Sequence, residues 1–148
     1  MRKALTRAQA KTIAEVALAK ARELNLLPIA VTVLDEDGRN LEDRVEEKAG
    51  LLRDDIAFAK AYGALGMSLG SRQLAVRAAA NPNFYNSLYA ISRGRLAPTP
   101  GGVLIRDPES HEIIGACGVS GDTSGNDELC AIAGIDAAGL VADPGAAV

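Results

Sequence analysis

Two hairpin signatures constrain this chain more than any other feature. Ile29 to Leu34 is a short apolar run rich in β-branched residues, and Asp35-Glu36-Asp37-Gly38 follows it as a turn in which glycine supplies a positive φ. Arg39 to Val45 returns as a second strand, with Leu41 and Val45 on one face and Asn40, Glu42 and Arg44 on the other. The pattern recurs further along: Val103 to Arg106 reads as a third strand, Asp107-Pro108-Glu109-Ser110 as a turn, and Glu112 to Val119 as a fourth strand. Strands joined by tight turns run antiparallel, so the sheet of this chain is antiparallel.

The remaining segments carry helical spacing. Thr6-Arg7-Ala8-Gln9 forms a capping box ahead of Ala10, Ile13, Ala14, Ala17, Leu18, Ala21 and Leu24. Leu52, Ile56, Ala59, Gly63, Gly66 and Met67 define a second helix, and Ser71 caps a third that runs to Ala80 before Asn81-Pro82. Phe84 to Ile91 is a short helical or irregular piece. A last helix starts at Ser124 or Asn126 and is expected to reach about Ala142. Helices need a sheet face to bury their apolar stripes. The expected fold is therefore α/β of the α+β type, an antiparallel sheet flanked by helices. The order is not βαβ throughout, which excludes a doubly wound parallel sheet.

A length of 148 residues fits one domain spanning 1–148. Hydrophobic residues make up 48% but aromatics only 3%, so the core is built of small aliphatic side chains and helices can lie close to the sheet. A net charge of −3 argues against nucleic acid as a partner, because phosphate neutralisation needs a basic face. No apolar run reaches membrane-spanning length, so no membrane partner is expected. The first residues enter a helix pattern without a signal-peptide core, which sets a cytoplasmic location as the expectation. Cys117 and Cys130 form no CxxC and are expected to be buried, reduced and free of metal.

Several familiar motifs fail on spacing. Gly115-Ala116-Cys117-Gly118-Val119-Ser120-Gly121 is GxxGxxG, not a dinucleotide fingerprint, and it lacks the last glycine of a nucleophile elbow. Its glycines let a helix lie flat on the sheet, and Ser120 is a candidate pocket residue. The single histidine, His111, falls at an expected hairpin turn, which nearly excludes a His-based triad or a multi-histidine metal site. It reads as a surface residue on a turn, with haem ligation as the alternative.

Two groups of residues point to an anion. Pro100-Gly101-Gly102 can aim successive N–H groups at a carboxylate, with Arg93, Arg95 and Arg106 near in sequence. The alternative is a rigid loop with solvated arginines. Lys60 has Ile56 and Ala64 four residues to either side, so its stem packs inside and its ammonium is either paired or lowered in pKa. Arg53, Asp54 and Asp55 open the same helix and Arg44 lies on the second strand. This charge set suits a ligand site or an intersubunit salt-bridge network equally. A pocket is expected from the 98–102 loop, the start of the third strand, Gly118 to Gly121 and the second helix around Arg53 and Lys60, closed by a neighbouring subunit.

Together these motifs resemble a known family. Asp35-x-x-Gly38, Arg44, Asp55-Ile56-Ala57-x-x-Lys60-Ala61, Asn81-Pro82-x-Phe84, Gly94-Arg95-x-x-Pro98-x-Pro100-Gly101-Gly102-Val103 and Gly115-Ala116-x-Gly118-Val119-Ser120-Gly121 with Asp127-Glu128 look like the GlcG/HbpS family, which includes the C-terminal domain of PduO-type proteins. The likeness runs from about Leu5 to Leu140. It implies a sheet flanked by helices and a homo-oligomer, from a dimer to a larger ring. It also implies a small-molecule carboxylate ligand, with haem as a cofactor or cargo in some relatives. An alternative activity is that of a lyase of the hydroxylaminobenzoate type. The binding candidates are then Arg44, Arg53, Lys60, Arg95, Pro100, Gly101, Gly102 and Ser120; the acid–base candidates are Lys60 and Asp55. Tyr62, Met67 and Tyr85 are fallback axial ligands for haem. A non-catalytic accessory subunit is the third option.

Overall fold

Both hairpins form, and they dock side by side. In the computed structural model, which describes residues 3–146, the first is β1 (Ala30–Asp35) with β2 (Asn40–Val45), and the second is β3 (Gly102–Arg106) with β4 (Ile113–Ser120). The order is β2-β1-β4-β3-β5 with every pair antiparallel. The helices are α1 (Arg7–Glu23), α2 (Arg53–Met67), α3 (Ser71–Ala80), α4 (Pro82–Ile91) and α5 (Ser124–Ala137).

The sheet's two faces are covered differently. Val31, Val33, Val103, Ile105, Cys117 and Val119 join Ile13, Ala17, Cys130 and Ile135 in the main core, so α1 and α5 cover one face. Leu34, Leu104 and Ala116 pack with Ala61 and Ala64 of α2 on the other. A third cluster, Leu74, Tyr85 and Leu96, sits under α3 and α4 with Met67, Leu69 and Leu88 packed against it. The capping box holds as expected: the Gln9 N–H donates to Thr6 Oγ1 at 3.0 Å and the Thr6 N–H to Gln9 Oε1 at 3.1 Å.

The fold departs from the sequence expectations at two places and decides between stated alternatives at a third. The last helix ends at Ala137, not near Ala142: Gly139 turns the chain at φ +76°, and β5 (Val141–Asp143) then pairs with β3. Arg106 Nε fixes that edge by donating to Asp143 Oδ2 at 2.9 Å. Phe84 to Ile91 belongs to a regular helix that opens with Pro82, whose missing N–H costs nothing in a first turn. Ser71 does not cap α3. Gly70 is the N-cap, and Ser71 Oγ instead accepts the Gly102 N–H at 2.6 Å.

Candidate functional site

A buried ion pair lies where α2 crosses the central strands. Gly118 has no Cβ, and one there would overlap the Ala57 carbonyl, so its absence lets the helix backbone rest on β4. That approach carries Lys60 under the surface, where it is 3% exposed and faces Asp127, itself 1% exposed. Lys60 Nζ lies 3.3 Å from Asp127 Oδ2 and donates to the Val119 carbonyl at 2.9 Å. Asp127, in the first turn of α5, also accepts the N–H groups of Gly121 at 3.3 Å and Asp122 at 2.9 Å. Burial pulls the Lys60 ammonium below its ordinary pKa, while Asp127 pulls it back up. The next residue, Glu128, accepts a bidentate contact from Arg72, with Nε at 3.0 Å and Nη2 at 3.0 Å. This ties α5 to α3.

The double glycine packs against the same helix. A Cβ on Gly101 would stand 2.7 Å from Lys60 Nζ, and one on Gly102 would overlap the Lys60 carbonyl. Gly101 accepts the Val119 N–H at 3.0 Å, and the Gly102 N–H is held by Ser71. Pro100 is half-buried at the head of this stretch.

Arg53 reaches across from the first turn of α2, donating from Nη1 to Ser120 Oγ at 3.3 Å. Ser120, Ala30 and Val45 form one row across the sheet. Val45 of that row is 51% exposed, and Leu51 and Leu52, which precede Arg53 in the chain, are 95% and 63% exposed. The half-buried Asp54 opens the same helix. Its carboxyl is pushed up to about 6, chiefly by a hydrogen bond with Asp43, then by burial and repulsion from the same group. Asp43 in turn accepts from Thr32 Oγ1 at 3.0 Å. Asp55 is exposed.

Thus Arg53, Lys60, Gly101, Gly102 and Ser120 come together along the N-terminal half of α2, and two expected partners do not join them. Arg44 pairs in register with Val31, which faces α1 and α5, so strand alternation puts it on the opposite face, where it meets Glu42 at 3.0 Å. Arg95 lies toward the other end of α2. Its guanidinium sits 4.4 Å over the Tyr62 ring and its Nε donates to the Ser92 carbonyl at 2.8 Å. Arg106 is engaged by Asp143 and by the His111 carbonyl, and His111 stands exposed on the β3–β4 turn. Among the fallback ligands, Met67 and Tyr85 belong to the cluster beneath α4, where burial raises the Tyr85 hydroxyl. Both cysteines are free and buried, and burial lifts both thiols, Cys130 to about 11. No helix among the described residues is long and apolar enough to cross a membrane.

Sequence reasoning missed three contacts: Asp127 with Lys60, Glu128 with Arg72, and Asp43 with Asp54. Asp127-Glu128 had a weak signal, as acids opening a helix behind a glycine-rich strand. Their partners lie 56 and 67 residues away, and no local spacing reports them.

An α+β domain with its charged groups gathered where a helix crosses a glycine-bearing strand is the class that fold and site define. The model of the family described as haem degrading protein HbpS-like matches residues 5–136, and the chain belongs to that family. It is 30% identical over 132 residues to an uncharacterized 15.0 kDa protein from the dhaT–dhaS intergenic region of Citrobacter freundii, covering 89% of this chain and 90% of the relative. Among solved structures it is similar to ORFY of Klebsiella pneumoniae, with a TM-score of 0.82, 26% identity and 94% of each chain covered. HbpS aligns with a TM-score of 0.79 and 25% identity over 92% of this chain and 91% of its own. A PduOC–haem complex shares the fold at a TM-score of 0.84 and 22% identity, covering 94% and 98%.

Proposed function

We propose that this protein is a homo-oligomeric binder of a planar, carboxylate-bearing small molecule of the haem class, held between protomers at the N-terminal end of α2. One observation carries the reading. Leu51 and Leu52, directly before Arg53 in the chain, and Val45, in the strand row of Ser120, are open to solvent, and Arg53 is already oriented by Ser120. Exposed apolar side chains grouped around one anchored cation suit the flat face and the acid group of such a ligand. They also suit a second subunit that closes over it. Lys60 lies beneath this surface. It sets the approach of α2 and does not touch the ligand. Membership in the HbpS-like family and likeness to a haem complex support the ligand class.

The residues fit the periphery of haem and not its iron. His111 stands on the β3–β4 turn, and Tyr62 and Met67 lie about 14 and 21 Å along α2 from Arg53 at the helical rise. Binding then rests on the carboxylates and the macrocycle face, and no iron chemistry is assigned to this chain. Iron-free protoporphyrin should compete with hemin for the site, which absorbance titration tests. Binding of hemin alone would refute this arrangement.

One observation favours a second reading, a lyase acting on a carboxylic acid. Asp54, raised to about 6, lies in the same turn as Arg53. A carboxyl near neutrality can exchange a proton with a substrate held by the arginine. Turnover with a pH limb near 6 that Asp54→Asn abolishes would establish it. Turnover unchanged in that variant would exclude it.

A further inference from the structure

Away from this end of α2, a separate cavity of about 260 Å³ opens between the C-terminal half of α2 and α4. We propose that it is a binding site for a small monocarboxylate with an apolar body. The inference goes beyond the porphyrin reading and does not depend on it.

The lining sets the ligand chemistry. Met67 of α2, Leu88 and Ile91 of α4, and Leu96 supply an apolar wall, and Arg95 is the one charged residue in the lining. Positions 88 and 91 share one face of α4 and Ser92 caps it, so that face is turned to the cavity. Ile91 nonetheless remains 72% exposed, an apolar side chain on the wall of an open space.

Arg95 is oriented before any ligand arrives. Its guanidinium lies over Tyr62 and its Nε is bound to the Ser92 carbonyl. Among the described residues its two Nη atoms meet no acceptor, so a planar donor pair stands ready for a carboxylate. A smaller cavity that shares Tyr62 and Gly66 in its lining carries Glu36 and Asp37. An anionic group is therefore favoured on the Arg95 side only, and a second carboxylate reaching past Tyr62 would be repelled.

Gly66 adds an independent point. A Cβ there would meet nothing within 4 Å, whereas one on Gly63 would meet Leu96 Cα at 3.1 Å. Close packing accounts for Gly63 but not for Gly66. A glycine inside a helix lowers stability relative to alanine, and here it is exposed on the rim that this cavity shares with the smaller one, where a side chain would occupy open space. The volume lies below the range of about 300–1,000 Å³ typical of drug-sized ligands. The occupant is thus a chain of a few carbons with one acid group.

The test uses the intact protein with hexanoate, hexanol and hexylammonium, followed by calorimetry and by methyl and arginine side-chain NMR. Hexanoate should bind saturably and shift the Met67, Leu88, Ile91 and Arg95 signals. Hexanol should bind about tenfold more weakly, the loss expected for one charge-assisted contact, and hexylammonium should not bind. Arg95→Met should erase the preference for hexanoate over hexanol. Gly66→Leu should fill the space and abolish both while keeping or raising Tm and leaving porphyrin binding unchanged. The proposal is overturned if hexanoate shifts none of these signals, if hexanol binds equally well, or if Gly66→Leu binds hexanoate like the parent. Loss of porphyrin binding in Gly66→Leu would also overturn it, by showing that the two sites are one.

Discussion

Replacing Lys60 with Met keeps the length of the buried stem and removes its charge. Asp127 then loses its cationic partner while it remains 1% exposed, and the Val119 carbonyl loses a donor. Removing one member of a buried pair costs about 3–5 kcal/mol. Asp127 keeps the Gly121 and Asp122 N–H groups, which places the loss at the lower end, about 3 kcal/mol. For a chain of this size that corresponds to a fall in Tm of about 6–12 °C. Urea and thermal unfolding at pH 7.5 measure it. Adding Asp127→Asn should restore more than half of the loss, because no uncompensated carboxylate remains. The pH dependence has a definite sign. Burial lowers the Lys60 pKa in the folded protein, so the folded state sheds this proton before the unfolded chain does. Stability should gain from this group as pH rises from its folded value toward 10.5, because the neutral amine, unlike Met, still donates to Val119 and Asp127; Lys60→Met should remove that gain. A loss under about 1 kcal/mol in Lys60→Met, or a double variant less stable than the single one, would refute the account of a partnered buried charge.

Gly118→Ala drives a methyl into the Ala57 carbonyl and should destabilise by about 1–3 kcal/mol or more, read by urea unfolding. Asp54 holds its proton in the folded protein up to about pH 6, whereas the unfolded chain releases it near 3.8. Its stabilising contribution is therefore complete below 3.8 and is lost as pH rises to about 6. Asp54→Asn should flatten that decline in a Tm-versus-pH series. Leu51→Glu should dissociate the proposed oligomer in light scattering while leaving the circular dichroism spectrum unchanged, because the side chain is 95% exposed in the single chain.

The parts of the fold legible in the sequence are those with local causes. Turn residues at Asp35–Gly38 and Asp107–Ser110 define both hairpins, and Thr6 with Gln9 defines the start of α1. β5 is three residues long, too short for a periodic signal, though Gly139 was available as a helix stop. The burial of Lys60 followed from its neighbours at i±4, but its partner is set by how α5 folds back on β4. Arg44 shows a different limit. Its place near Arg53 in the linear order does not survive the register, which assigns it to the other face of the sheet. At Gly101 and Gly102, an anion nest and a close helix approach both call for a missing Cβ, so the residue types alone could not separate them. Gly63 and Gly66 pose the same problem in α2, and only the space around each tells them apart.

The most direct test of the proposed function is an equilibrium absorbance titration of the purified protein with hemin and with iron-free protoporphyrin, repeated with Arg53→Met. The account predicts saturable binding of both at the same stoichiometry, with affinities within about threefold and a loss of about tenfold or more in Arg53→Met. Saturable binding of hemin with none of protoporphyrin, or no saturable binding of either, would contradict it.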